Sequence, residues 1–139
     1  MHDEARVLGE LTVFSRRVRA DAREVHPDLT YVDFTLLRIV QVNPGVLAGD
    51  LAEVARIDKS TASRQLTALV RRGLVQRTGA GGREGKPLEL TTEGRQVTAR
   101  AQQAQQALVA DRLAEWSAQD VATFADLLAR YNEGEVRSA

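Results

Sequence analysis

Residues 51–75, LAEVARIDKSTASRQLTALVRRGLV, decide the fold. They read as two short helices, about 48–55 and 59–72, joined by a tight turn. In the second helix Ala62, Leu66, Leu69 and Val70 recur at helical spacing and form a stripe to bury. Ser60, Ser63, Arg64, Thr67 and Arg71 share the opposite face. A helix patterned in this way packs one side on a small domain and offers the other to a DNA groove. Leu51, Ala52 and Val54 are the packing residues of the first helix. Asp58 or Ser60 can cap the second, accepting from the free amides of its first turn. Gly73 stands where a left-handed C-terminal residue is wanted.

Working outward, Leu74–Arg77 reads as a strand and Leu88–Leu90 as its antiparallel return. Between them TGAGGREGKP (78–87) is too glycine-rich to pack and distinctly basic, which is the pattern of a wing. Thr91 or Thr92 caps a long helix running to about Glu115, with Val97, Ala101, Ala104 and Leu108 on one stripe. Ser117 and Asp120 have capping-box spacing and open a last helix with Val121, Phe124, Leu127, Leu128 and Tyr131 expected inward. Upstream, Val7, Leu11, Phe14, Val18 and Val25 predict a helix over 4–25, ended by Pro27. Thr30 and Asp33 form a capping box for a helix to about Gln41 that is apolar on most sides, followed by the turn Asn43-Pro44-Gly45. The expected fold is mainly α with a small β wing, a winged helix-turn-helix with dimerisation helices at both ends. The parts are 1–29, 30–95 and 96–139. The outer helices carry apolar stripes but little core, and such stripes bury most easily against a second copy, so a symmetric homodimer is expected.

The 139 residues suit one domain plus oligomerisation helices, and 43% hydrophobic content is enough for a core. Aromatics are only 4%, so that core is aliphatic. No apolar run approaches the ~20 residues of a membrane span, and the charged start MHDEARVLGE does not read as a secretory leader. A cytoplasmic protein with no membrane partner is the expectation. The absence of cysteine removes disulfides and thiol-based sensing. Net charge is zero, yet residues 56–86 hold eight basic side chains against Asp58 and Glu84, leaving +6 there and −6 elsewhere. Phosphate binding needs a local positive surface, so the asymmetry matters more than the total.

Other chemistries fit poorly. GAGGREGKP fails as a phosphate-binding loop because Pro87 follows Lys86 where Ser or Thr is required, and a strand rather than a helix comes next. His2 with Asp3 and Glu4, or His26 with Asp28, is too sparse a ligand set for a metal, and no cofactor is expected. With two histidines and no cysteine, no nucleophile–base–orienter set can be assembled, so no enzyme is expected. Trp116, between the last two helices, is read as a packing residue, with the wall of a ligand cavity as the alternative.

The phrase from Leu51 through Gly73 and the wing return LELTTEG (88–94) resemble the MarR family of bacterial transcription regulators, whose element order matches the whole chain. The resemblance implies a homodimeric, sequence-specific DNA-binding regulator, more often a repressor, acting on a palindromic operator. Lys59, Ser60, Thr61, Ser63, Arg64 and Gln65 would stand at the groove, where hydroxyls and amides bond base edges or phosphates and arginine forks onto guanine. Arg77, Arg83 and Lys86 would serve the wing and backbone, with Arg83 at the wing tip and Lys86 as its alternate. Arg71, Arg72 and Arg77 are read either as phosphate contacts or as intramolecular ion pairs. Two departures stand out: no aspartate precedes Arg83, and Arg56 occupies the inter-helix turn where a small residue such as glycine is often found. Family members commonly respond to a small aromatic or anionic effector, for which Phe14, Phe34, Arg38 and the helix after Thr92 are the expected walls. A winged-helix protein-interaction module and a non-specific architectural DNA binder are the competing readings.

Overall fold

The computed structural model describes residues 2–26, 28–79 and 85–134. The chain divides into two units, residues 1–105 and 106–139, with one helix crossing from the first to the second.

In the first unit, helix α1 (Asp3–Val25) is followed by α2 (Tyr31–Val42), a 3-10 turn at Ala48–Asp50, α3 (Leu51–Ala55) and α4 (Lys59–Arg71). Strands β1 (Val75–Arg77) and β2 (Leu88–Leu90) pair antiparallel, with Val75 opposite Leu90, and α5 (Thr92–Arg112) begins directly after them. The Thr30–Asp33 box at the head of α2 is formed in both directions: Thr30 Oγ1 accepts the Asp33 amide and Asp33 accepts the Thr30 amide. Helix α2 packs against α3, α4 and β2, which explains why it is apolar on most sides. Leu36, Leu37, Leu51, Leu69, Val75 and Leu88 are fully buried there. Each such side chain contributes roughly 1.5–3 kcal/mol relative to exposure, so this aliphatic centre holds the helix-turn-helix together without aromatics.

A third segment joins the wing base. Leu47 pairs with Pro87 in an antiparallel bridge, and the Leu88 amide donates to Val46 O at 2.8 Å. At the other end Gly73 takes φ +74°, as its place after α4 requires. Gly94 lies against the Leu74 carbonyl, letting the first turn of α5 sit on the strand. Thr91 rather than Thr92 caps α5, its Oγ1 accepting the Gly94 amide and donating to Gly73 O.

Three expectations are corrected. Val54 does not pack: it is 49% exposed, because Leu51, Ala52 and Ala55 take the inner side of the short α3. The first helix of the motif begins as a 3-10 turn, with only Leu51–Ala55 α-helical. In the second unit, α6 (Ala118–Glu133) is capped by Ser117, which accepts the Asp120 amide, but Phe124, Leu127 and Tyr131 are 42%, 47% and 58% exposed. The 34-residue second unit has too little chain to cover them. Trp116 lies 5.4 Å from Phe124, ring centre to ring centre, and both remain exposed. Helix α1 likewise has no buried residue, and Val7 and Phe14 face outward. No helix among the described residues is long and apolar enough to cross a membrane.

Candidate nucleic-acid interface

Helix α4 is held by its apolar face. Ala62, Leu66 and Leu69 are buried and Val70 packs against the core, which turns Lys59, Ser60, Ser63 and Arg64 out as exposed residues. Thr61 and Gln65 flank that face half-buried. Lys59 and Arg64 make no ion pair with any described residue, so their charge is available to an anion.

The start of the helix is more constrained than its sequence suggests. Asp58, rather than Ser60, is the cap: it accepts the Thr61 amide at 2.9 Å, the Ser60 hydroxyl at 2.6 Å and the Thr61 hydroxyl at 2.7 Å. The Ser60 hydroxyl, then the Thr61 hydroxyl and amide, hold the Asp58 carboxyl well below the usual carboxylate range. Nothing in the spacing of these residues signals that one carboxylate engages both hydroxyls.

Arg56, in the turn between α3 and α4, takes φ +56°, the one positive φ at a non-glycine residue among the described residues. A glycine would adopt this conformation freely, whereas an L-residue pays roughly 1–2 kcal/mol. Its amide closes α3 on Glu53 O, and the side chain is exposed.

The remaining basic residues separate into two kinds. Arg72 is intramolecular: its Nη1 donates to Asp28 O at 2.9 Å and lies 3.9 Å from the buried Asp33 carboxylate, tying the end of α4 to the head of α2. Arg71, Arg77 and Lys86 are exposed and pair with no described acid. Arg77 sits on β1 opposite Leu88, and Lys86 just before β2, so both lie on the wing. Arg83, the expected wing tip, lies outside the described residues.

Of the expected effector walls, Phe34 and Arg38 stand one turn apart on α2. Phe34 is half-buried against the core, whereas Phe14 on α1 is exposed. The Arg38 guanidinium donates to Gln41 and to Gln102 on α5, spanning the two helices. No hydrogen bond or ring contact among the described residues joins these three side chains. An open depression in the second unit is lined instead by Glu115, Trp116, Asp120, Thr123, Phe124 and Leu127.

Residues 28–84 match the sequence profile of the MarR family. No curated protein matches the chain. Among solved structures, the transcriptional repressor CouR bound to a 23-mer DNA duplex is 30% identical, with 96% of this chain and 97% of that one covered and a TM-score of 0.76. Wild-type MarR from E. coli in its apo form is 25% identical over 89% of this chain and 96% of that one, with a TM-score of 0.74. The PcaV transcriptional regulator from Streptomyces coelicolor, in complex with its natural ligand, is 25% identical over 91% and 92%, with a TM-score of 0.69. With the helix-turn-helix, the wing and the flanking helices in the same order throughout, the chain belongs to the MarR family of winged-helix, DNA-binding transcription regulators.

Proposed function

We propose that the protein is a cytoplasmic, homodimeric repressor that binds a palindromic operator and releases it on taking up a small molecule. The observation that carries this reading is α4: one face is locked into the core, and the other presents Lys59, Ser60, Ser63 and Arg64 to solvent beside a basic wing. In this reading Lys59, Ser60, Thr61, Ser63, Arg64 and Gln65 enter a major groove. Arg77, Lys86 and Arg83 serve the backbone and the neighbouring minor groove. The exposed apolar side chains of α1 and α6 are covered by a second copy, which sets the two recognition helices about 34–36 Å apart, one DNA turn. Residues 1–29 and 96–139 would then be the dimerisation parts and 30–95 the DNA-binding lobe.

The ligand-bound PcaV structure supports an effector. Phe14, Phe34 and Arg38 remain the proposed walls, with the Arg38 guanidinium suited to an anionic group. An effector would shift the population between spacings of the recognition helices that fit DNA and those that do not.

The test is recovery of DNA from sheared genomic fragments by the purified protein, alongside Arg64→Ala. Enrichment of a two-fold-related site by the parent, lost in the variant, supports the regulator. Recovery without sequence preference would favour an architectural binder. A lack of recovery, with sedimentation at the mass of one chain, would favour an interaction module.

A further inference from the structure

The hydroxyls at the start of α4 are not available as donors. Ser60 Oγ gives its hydrogen to Asp58 Oδ2, and Thr61 Oγ1 gives its hydrogen to Asp58 Oδ1. An ionised carboxylate only accepts, and a hydroxyl has one hydrogen and two acceptor lone pairs. Each oxygen therefore offers a ligand lone pairs alone. The Thr61 amide fixes the same carboxylate from a third direction. Turning either hydroxyl outward would forfeit a charge-assisted bond within the cap of the helix. Ser60 is exposed one turn before the exposed Arg64, on the face that the core leaves free.

In DNA, phosphate oxygens, guanine O6 and N7, adenine N7 and thymine O4 are all acceptors. The major-groove donors are the adenine N6 and cytosine N4 amines. Resting on the reading of α4 as the helix in the major groove, we infer that Ser60 and Thr61 are specificity-determining residues that accept from the exocyclic amine of adenine or cytosine. Asp58 is the positioning residue behind them. Lys59 and Arg64, which only donate, take phosphates and the acceptor edges of bases. The first two turns of the helix are thus divided by hydrogen-bond sense, with acceptors at 60 and 61 and donors at 59 and 64.

The experiment selects bound duplexes from a random library with the parent, Ser60→Ala and Thr61→Val. Circular-dichroism melts confirm that each variant is folded. Positions whose preference collapses in a variant mark the base pairs that the hydroxyls read. There adenine is replaced by a purine lacking the 6-amine, or cytosine by its analogue lacking the 4-amine. The parent should bind such a duplex about 5- to 100-fold more weakly, the span expected for a lost base contact. The corresponding variant should lose little more, because its contact is already gone. A 7-deaza purine at the same pair, which removes an acceptor, should cost the parent and the corresponding variant equally, since the hydroxyl does not donate to N7. Tolerance of amine removal by the parent, or a 7-deaza loss that the variant does not share, would overturn the inference. So would a uniform loss by the variants on all duplexes, which marks phosphate contacts. A library that the parent does not enrich at all would instead refute the DNA-reading role of α4, an outcome distinct from these.

Discussion

Gly94→Ala tests how the wing is joined to the long helix. A Cβ at this position would lie 1.9 Å from Leu74 O, 2.9 Å from Leu74 C and 3.2 Å from Leu74 Cα. Real Cβ contacts essentially never fall below 3.0 Å, so backbone must separate from backbone by at least about 1.1 Å. Neither partner is a flexible side-chain tip. The shift strains the Thr91 amide bond to Leu74 O (3.1 Å) and the Thr91 hydroxyl bond to Gly73 O. Overpacking of this kind costs about 1–3 kcal/mol, and each weakened hydrogen bond about 0.5–1.5 kcal/mol. A total of about 2–6 kcal/mol is expected, a large part of the roughly 5–15 kcal/mol that ordinarily separates folded from unfolded chains. At this length that corresponds to a fall in Tm of about 7–20 °C. The assay is thermal circular dichroism at matched protomer concentration, since association shifts apparent stability. Gly9→Ala is the control. Gly9 lies in α1 with nothing within 4 Å of its would-be Cβ, so alanine should stabilise by about 0.5–1 kcal/mol. A Gly94→Ala protein melting within about 3 °C of the parent would show that the Leu74 carbonyl does not exclude a side chain at position 94.

Further predictions follow from the α4 region. Arg56→Gly relieves the left-handed strain and should raise the urea midpoint by the equivalent of up to about 1 kcal/mol; an unchanged or lower midpoint would show that φ +56° carries no penalty. Arg72→Ala removes the bond to Asp28 O and the partner of buried Asp33, and should cost about 1–2 kcal/mol in urea unfolding, discounted because Arg72 is partly exposed. Arg71→Ala, exposed and unpaired with any described acid, should change stability by less than about 0.5 kcal/mol, and equal losses in the two variants would contradict the division. Asp58 has a lowered folded pKa, so its contribution is present above the unfolded value near pH ~3.9 and is lost as pH falls below it. Asp58→Asn should therefore flatten the acid limb of the stability profile below about pH 4 while leaving its neutral region nearly level. An acid limb as steep as the parent's would assign that loss to other carboxylates.

How far the sequence revealed all this depended on the range of each interaction. The Thr30–Asp33 box, the left-handed Gly73 and the buried stripe of α4 are set by neighbours a few residues apart, and each is present as read. Gly94 closes the phrase LELTTEG, but the requirement for glycine there, the Leu74 carbonyl 20 positions earlier, exists only once α5 folds onto the wing base. The bridge from Leu47 to Pro87 and the tie from Arg72 to the head of α2 likewise join distant segments that no local period encodes. Val54 departs from the expected packing face because a single turn of α-helix has too few residues to define a face by spacing. On α6 the spacing found the apolar stripe correctly, but it does not distinguish a stripe buried in its own chain from one left exposed. At the interface the residue types were legible, whereas the donor and acceptor roles of Ser60 and Thr61 rest on Asp58, whose hydrogen bonds require coordinates.

Sequence-specific DNA recognition through α4 is read by fluorescence-anisotropy titration of the enriched genomic duplex and of a scrambled duplex of equal length, across a salt series. Affinity for the selected duplex should be at least about 10³-fold above that for the scrambled one near physiological salt. Binding of both should weaken as salt rises, because phosphate contacts release counterions. Equal affinity for the two duplexes at every salt concentration would contradict such recognition.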